Sequence, residues 1–389
     1  MTHRSGRHFL QIPGPTNVPD RVLRAIDHPT IDHRGPNFAE LGLACLCGMR
    51  QVFGTEQHVV IFPSSGSGAW EAALVNTLKP GDKVLMAETG HFATLWKEMA
   101  TQLGLAVEFV PGDWRHGADI NAIAARLEAD RDGRIAALAI VHNETSTGCL
   151  SQVQAVRQTL DAAGHHALLL VDAISSLACV ACRHDEWGVD VTVSCSQKGL
   201  MLPPGLGFNA ISAKALGRAE EGGFQRSYWD WRPMLANNAN GYFPYTPATN
   251  MLYGLREALD MLFEEGLPNV FARHSRHGEA TRRAVRGWGL EVLCRNPEEY
   301  SPSLTAVLMP QGHDADALRK TILERFDMSL GTGLGRLAGK IFRIGHLGHY
   351  NDLTLAGALS GVQMGLGLQG LKPGDGLGAA LDYLATANA

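Results

Sequence analysis

The chain has 389 residues, 45% apolar and 19% charged, with a formal net charge of −5. That length suits a large domain with a smaller one, and the composition fits a packed core without a disordered tail. The mild acidity argues against nucleic acid as the main partner, no apolar run reaches the roughly 18 residues of a membrane span, and residues 1–10 lack the apolar centre of a secretory signal.

Val59-Val60-Ile61-Phe62 reads as a short buried strand. It runs into Pro63-Ser64-Ser65-Gly66-Ser67-Gly68 and then a good helix former from Ala69 to Leu78. Small residues between a strand and a helix N-terminus leave backbone N–H groups free to face an anion, with the helix dipole behind them. The segment therefore suits one phosphate group; an ordinary βα turn with a serine cap is the alternative. A dinucleotide fingerprint fails because Glu71 stands where a further Gly or Ala is needed. Gly339-Lys340 fails as a P-loop, since Leu334 and Ile341 occupy the first-glycine and Ser/Thr positions.

Alternation continues with a strand at 83–87, a helix at 92–103, a strand at 106–110 and a helix at 120–129. A buried strand at 136–142 and a helix at 151–163 follow. This is the pattern of βαβ units around a parallel sheet, so the fold class is α/β. Leu168-Leu169-Leu170-Val171 then ends in Asp172, a carboxylate that is costly at the end of a buried strand unless a cation or donor meets it. Val191 to Ser194 runs on to Gln197-Lys198-Gly199 and soon Pro203-Pro204-Gly205. Loop residues at strand ends are where α/β proteins place chemistry. Alone, Asp172 reads equally as a helix cap and Lys198 as a solvated edge charge. Together they are what pyridoxal phosphate (PLP) chemistry needs: a desolvated amine to hold an aldehyde, and an anion to keep the ring nitrogen protonated.

A long helix reaching about Glu265 closes this region. Beyond it come a helix at 271–287, strands at 290–294 and 303–308, a helix at 315–326 and a strand at 340–345, the pattern of a smaller α+β domain. The expected division is an N-terminal segment 1–20, a large domain 21–265 and a small domain 266–389. Seven scattered cysteines point to a reducing, cytoplasmic setting. Cys179 and Cys182 have CxxC spacing but no second pair, and the sixteen histidines include no HExxH, so no metal is expected.

Five segments in order carry a resemblance: Ser65-Gly66-Ser67-Gly68, His142 to Gly148, Val171-Asp172, Ser196-Gln197-Lys198 and Phe342-Arg343-Ile344-Gly345. With Pro13-Gly14-Pro15-Thr16-Asn17 they make nearly the whole chain resemble the class V aminotransferases, in particular the serine–glyoxylate and alanine–glyoxylate group. The resemblance implies a PLP-dependent transferase of fold type I, with a mostly parallel seven-stranded sheet between helices and a smaller C-terminal α+β domain. It implies Lys198 as the Schiff-base lysine and Asp172 as the partner of the ring nitrogen. It places Ser67, Gly68, Ala69 and Gln197 around the phosphate, Thr145 at the ring oxygen, and Ile174 and Phe92 against the ring. Thr246, with Tyr242 or Tyr245, is implied to reach the phosphate of a neighbouring subunit, hence a homodimer. Arg343 is implied to take the substrate carboxylate, and Arg34 is a candidate for a side-chain carboxylate. The implied activity is amino transfer from serine, or alternatively from aspartate or alanine, to glyoxylate, giving glycine. A PLP-dependent lyase or cysteine desulfurase needs a mobile late cysteine, for which Cys294 is a poor match. Intact Lys198, Asp172 and Arg343 argue against a non-catalytic protein of this fold.

Overall fold

The computed structural model describes residues 5–386. Its strands form where apolar, β-branched runs can be covered on both faces. β1 (Phe9–Gln11) is followed by β2 (His58–Ser64), β3 (Lys83–Ala87), β4 (Ala106–Val110) and β5 (Ile135–Val141). A small hairpin of β6 (Asn143–Glu144) and β7 (Cys149–Leu150) precedes β8 (Leu168–Asp172), β9 (Val191–Cys195) and β10 (Gly205–Ile211). Seven of these make one sheet in the order β2-β10-β9-β8-β5-β3-β4. Only β10 runs against its neighbours; the other pairings are parallel. The expected fold type I sheet is therefore present.

Along β8, Leu168 and Leu170 enter one apolar cluster while Leu169 and Val171 enter another on the opposite face. Such two-sided burial is what a central parallel strand requires. Because β2, β8 and β9 point the same way, the segments that follow them emerge along one edge of the sheet. That edge is where α/β folds build sites.

The later strands are β11 (Glu291–Val292), β12 (Leu304–Leu308), β13 (Met328–Thr332) and β14 (Ile341–Gly345). They join β1 in a second sheet ordered β1-β13-β14-β12-β11. The N-terminal segment thus supplies an edge strand, Phe9 pairing with Met328 in parallel. A separate apolar cluster runs from Ala280 to Leu384. The strand expected over 290–294 is shorter, because Leu293 makes the last ladder bond to Ala306 and Arg295 turns away to the Arg115 carbonyl. The helix expected over 151–163 spans Val153–Ala162, since the Ser151 amide is taken by the His142 carbonyl. No helix among the described residues is long and apolar enough to cross a membrane.

Candidate active site

Asp172 is the last residue of β8 and lies beside Val193 of β9. Its carboxylate is buried, with Oδ1 accepting from the Ile174 amide at 2.7 Å and Oδ2 from the Trp70 indole N–H at 3.0 Å. Burial raises this carboxyl to about 7, while the Ile174 amide and Trp70 pull it back down. These two donors and the more distant Lys198 amine offset its burial only in part.

Lys198 follows β9 by three residues and is also buried. Its Nζ donates to the Pro13 carbonyl. The N-terminal segment lies over the lysine: the Thr16 amide bonds to the Gln197 carbonyl at 3.2 Å, and the Thr16 hydroxyl to the Lys198 carbonyl at 3.2 Å. A Cβ on Gly14 would stand 2.6 Å from Nζ, and Gly14 has φ +102, so only glycine suits this approach. Burial lowers the Lys198 amine to about 8, which leaves a usable fraction neutral and nucleophilic near neutral pH.

The third part is the N-terminus of the helix Gly66–Thr77. Ser65 precedes it in extended geometry and makes no side-chain cap, and the Gly66 amide faces the Cys195 thiol, so the amides that follow it in the first turn can meet an anion. A Cβ on Gly66 would strike Ile174, and one on Gly68 would strike Ser64 and Trp229. The glycines let the turn sit tightly against the floor of the site.

A cavity of about 240 Å³ joins these parts. Its lining includes Ser67, Phe92, Thr145, Asp172, Ile174, Gln197 and Lys198 from the expected set. Sequence reasoning missed Trp70 and gave Gly14 and Pro15 no role, yet all three line the cavity. The signal for Trp70 was its position three residues after Ser67, on the inward face of one helix. Gly68 and Ala69 lie in the same first turn but outside the lining. Thr145 donates from its hydroxyl to Ser175 at 2.7 Å.

Arg343, buried in β14, lies beside this cavity rather than in its lining. Phe342 and Ile344 enter the second apolar cluster, and Arg343 between them faces the other way. Its Nε bonds the Thr332 carbonyl at 2.7 Å and its Nη1 the Thr145 carbonyl at 2.7 Å. Burial lowers it to about 10, so it stays charged at neutral pH.

Other expected residues are not brought in. Arg34 is exposed, in a turn where its amide bonds the Asp32 side chain at 2.9 Å. Tyr242 and Tyr245 are half-buried and Thr246 is exposed; none lines this chain's cavity. Tyr245 stacks on Tyr228 with centroids 4.6 Å apart. Cys294 is buried and donates towards the Asn296 and Glu299 carbonyls, which does not suit a mobile nucleophile. All seven cysteines are free.

A family model for class V aminotransferases matches residues 8–335. The chain is 49% identical to a serine–glyoxylate aminotransferase of Methylorubrum extorquens, over 98% of this chain and 97% of that protein. It is 45% identical to an L-aspartate–glyoxylate aminotransferase of Paracoccus denitrificans, over 96% and 95% respectively. Among solved structures it resembles the ureidoglycine–glyoxylate aminotransferase of Bacillus subtilis, with a TM-score of 0.90 and 26% identity over 99% of this chain and 100% of that one. The chain belongs to the class V aminotransferases, and its cofactor is PLP. A buried acid, a buried amine, an uncapped helix N-terminus and two apolar side chains fit the ring nitrogen, aldehyde, phosphate and ring faces of that group.

Proposed function

We propose that this class V aminotransferase moves the amino group of serine to glyoxylate, so that serine leaves as hydroxypyruvate and glyoxylate as glycine. The single observation that carries amino transfer is the meeting of Lys198, Asp172 and the Gly66–Thr77 helix terminus in one buried cavity beside Arg343. Likeness to the serine–glyoxylate enzyme supports the donor. So does this chain's own lining, in which, among the described residues, Lys198 is the only cationic side chain, an environment that favours a neutral donor side chain over aspartate.

When bound, PLP supplies a conjugated ring that delocalises the electron pair left at the donor Cα. In our assignment Lys198 takes the proton from Cα and returns one to the cofactor carbon, as a general base and acid. Asp172 holds a proton at the ring nitrogen, and the Trp70 N–H keeps that carboxylate aimed. Ser67, Gly68, Ala69 and Gln197 would hold the phosphate, Phe92 and Ile174 would flank the ring, and Thr145, whose hydroxyl hydrogen goes to Ser175, would face its oxygen. Arg343 binds the carboxylate common to serine and glyoxylate.

Initial rates with glyoxylate and serine, alanine, aspartate or glutamate test the donor. Serine is expected to give the highest kcat/KM. A higher value for aspartate makes the chain an aspartate–glyoxylate enzyme, and no turnover with any of them removes glyoxylate as acceptor.

Asp172→Asn is expected to retain PLP but slow loss of the donor's Cα hydrogen by about 10²-fold or more, on the scale of acid–base contributions. Single turnovers with Cα-deuterated serine measure it; an unchanged rate makes Asp172 only a structural acceptor. A pH dependence follows from Lys198. Its amine is protonated below about 8 and neutral above, so apo-protein should capture PLP faster as pH rises through 8 and level off beyond. A capture rate flat between pH 7 and 9 contradicts this.

We also assign a homodimer, because the family resemblance gives Thr246, with Tyr242 or Tyr245, a place at a neighbour's phosphate, and all three lie outside this chain's own cavity. Sedimentation of a fully active monomer counts against it. The seven free cysteines support a cytoplasmic location, which cell fractionation tests.

A further inference from the structure

The helix His91–Gln102 carries Phe92, a wall of the cavity, yet starts without a cap of its own: Gly90 precedes it and has no side chain to accept from the first-turn amides. Those amides are met from the β6 region instead. The His91 amide donates to the Ser146 hydroxyl at 2.8 Å, the Phe92 amide to Glu144 Oε1 at 3.3 Å and the Ala93 amide to Glu144 Oε2 at 3.1 Å. The Ser146 hydroxyl in turn donates to Glu144 Oε1 at 2.6 Å, and the Ser146 amide to the same oxygen at 3.0 Å. The first intrahelical bond, Thr94 to the Gly90 carbonyl, begins only after these three amides.

Glu144 and Ser146 are both fully buried. A buried carboxylate is costly unless its oxygens are satisfied. Here four donors meet it at the positive end of a helix, the place where an anion is favoured. Gly90 is forced by the arrangement, since a Cβ there would strike the Ser146 hydroxyl and the Glu144 side chain. One carboxylate therefore ties together two cavity residues from distant parts of the chain: Phe92 through its amide, and Thr145, which sits between Glu144 and Ser146. The Thr145 carbonyl is also the anchor of Arg343.

We propose that Glu144 is a positioning residue for the cofactor site, an internal cap that, with Ser146, fixes Phe92 as the wall against which the cofactor ring rests. The proposal depends on the assignment of this cavity to PLP and is independent of which amino acid is the donor. Glu144 lies outside the cavity lining and acts through Phe92.

Its test is PLP binding to apo-protein with no amino donor present, read as the dissociation constant and as induced circular dichroism per bound cofactor. Glu144→Gln keeps size but sets an amide NH2 among donors, so PLP affinity should fall about tenfold, as for loss of a charge-assisted bond, and the induced signal should shrink. Ser146→Ala should shift both in the same direction by less. In a Phe92→Ala background, Glu144→Gln should change affinity less than twofold, because the wall it positions is already gone. Equal effects of Glu144→Gln in both backgrounds, or a lowered Tm with unchanged affinity and signal, make Glu144 merely structural and overturn the proposal. If Glu144→Gln does not fold, Ser146→Ala takes its place in the same two backgrounds with the same criterion. Failure of the donor assignment appears in the rate panel alone and leaves these binding measurements untouched.

Discussion

Lys198→Ala is expected to lose about 10⁴-fold or more of turnover, the upper range of what a positioned acid–base group contributes. The loss is large because one side chain serves as attachment point for the aldehyde and as proton carrier, and no second lysine lines the cavity. Neighbours offer no substitute: Asp172 is committed to the Ile174 amide and Trp70, and the Thr145 hydroxyl to Ser175. Borohydride reduction followed by peptide mapping should label Lys198 in the wild type and nothing in the variant. Turnover within about tenfold of wild type, only ~1.4 kcal/mol of barrier, sinks the assignment.

The same lysine should show its cost in stability. Its folded value of about 8 lies below the 10.5 of a free lysine, so between those values the unfolded chain binds more protons and apo stability rises with pH. Below pH 8 the penalty is present in full, on the order of 3 kcal/mol at ~1.36 kcal/mol per pH unit. Lys198→Met, which keeps the volume and removes the charge, should therefore raise the apo Tm at pH 7, and the gain should fade towards pH 10.5. A catalytic loss beside a gain in stability separates a functional lysine from a structural one.

The sheet edge that builds this site was legible because its signals are local. Asp172 and Lys198 each close an apolar run, and the small residues of 64–68 sit between a strand and a helix former, so burial period and turn chemistry located all three. What stayed hidden depends on contacts distant in sequence. β1 is three residues long and pairs with Met328 to Leu330, and no periodicity exists in so short a run. Trp70 reads as an ordinary core aromatic until Asp172 is found 3.0 Å from its indole nitrogen. Glu144 looked like one letter of a motif; its role as a cap appears only when the helix beginning at His91 is brought to it. Arg34 was suggested by its position near the N-terminus, and in this chain the turn at Asp32 leaves it exposed and away from the cavity.

Arg343→Lys is expected to cut kcat/KM by about 10- to 100-fold for serine and by a similar factor for glyoxylate, the cost of ~1.5–3 kcal/mol for a charge-assisted hydrogen bond. β14 alternates, so Phe342 and Ile344 anchor the strand in the second apolar cluster while the guanidinium reaches the other way, to the Thr145 carbonyl. The Thr332 and Thr145 carbonyls fix its plane through Nε and Nη1, and this preset orientation is what a planar fork adds for gripping a carboxylate by two parallel bonds. Lysine keeps the charge but presents one rotating ammonium, and it gives up the hold on Thr332. Serine and glyoxylate share only the carboxylate, so a common loss locates the defect at that group, whereas a loss confined to serine would locate it at the donor side chain. PLP occupancy and its absorbance should stay near wild type, because Arg343 lies beside the cavity and outside its lining. Loss of cofactor, or unchanged affinities for both substrates, makes Arg343 a structural tie between β14 and the Thr145 loop instead.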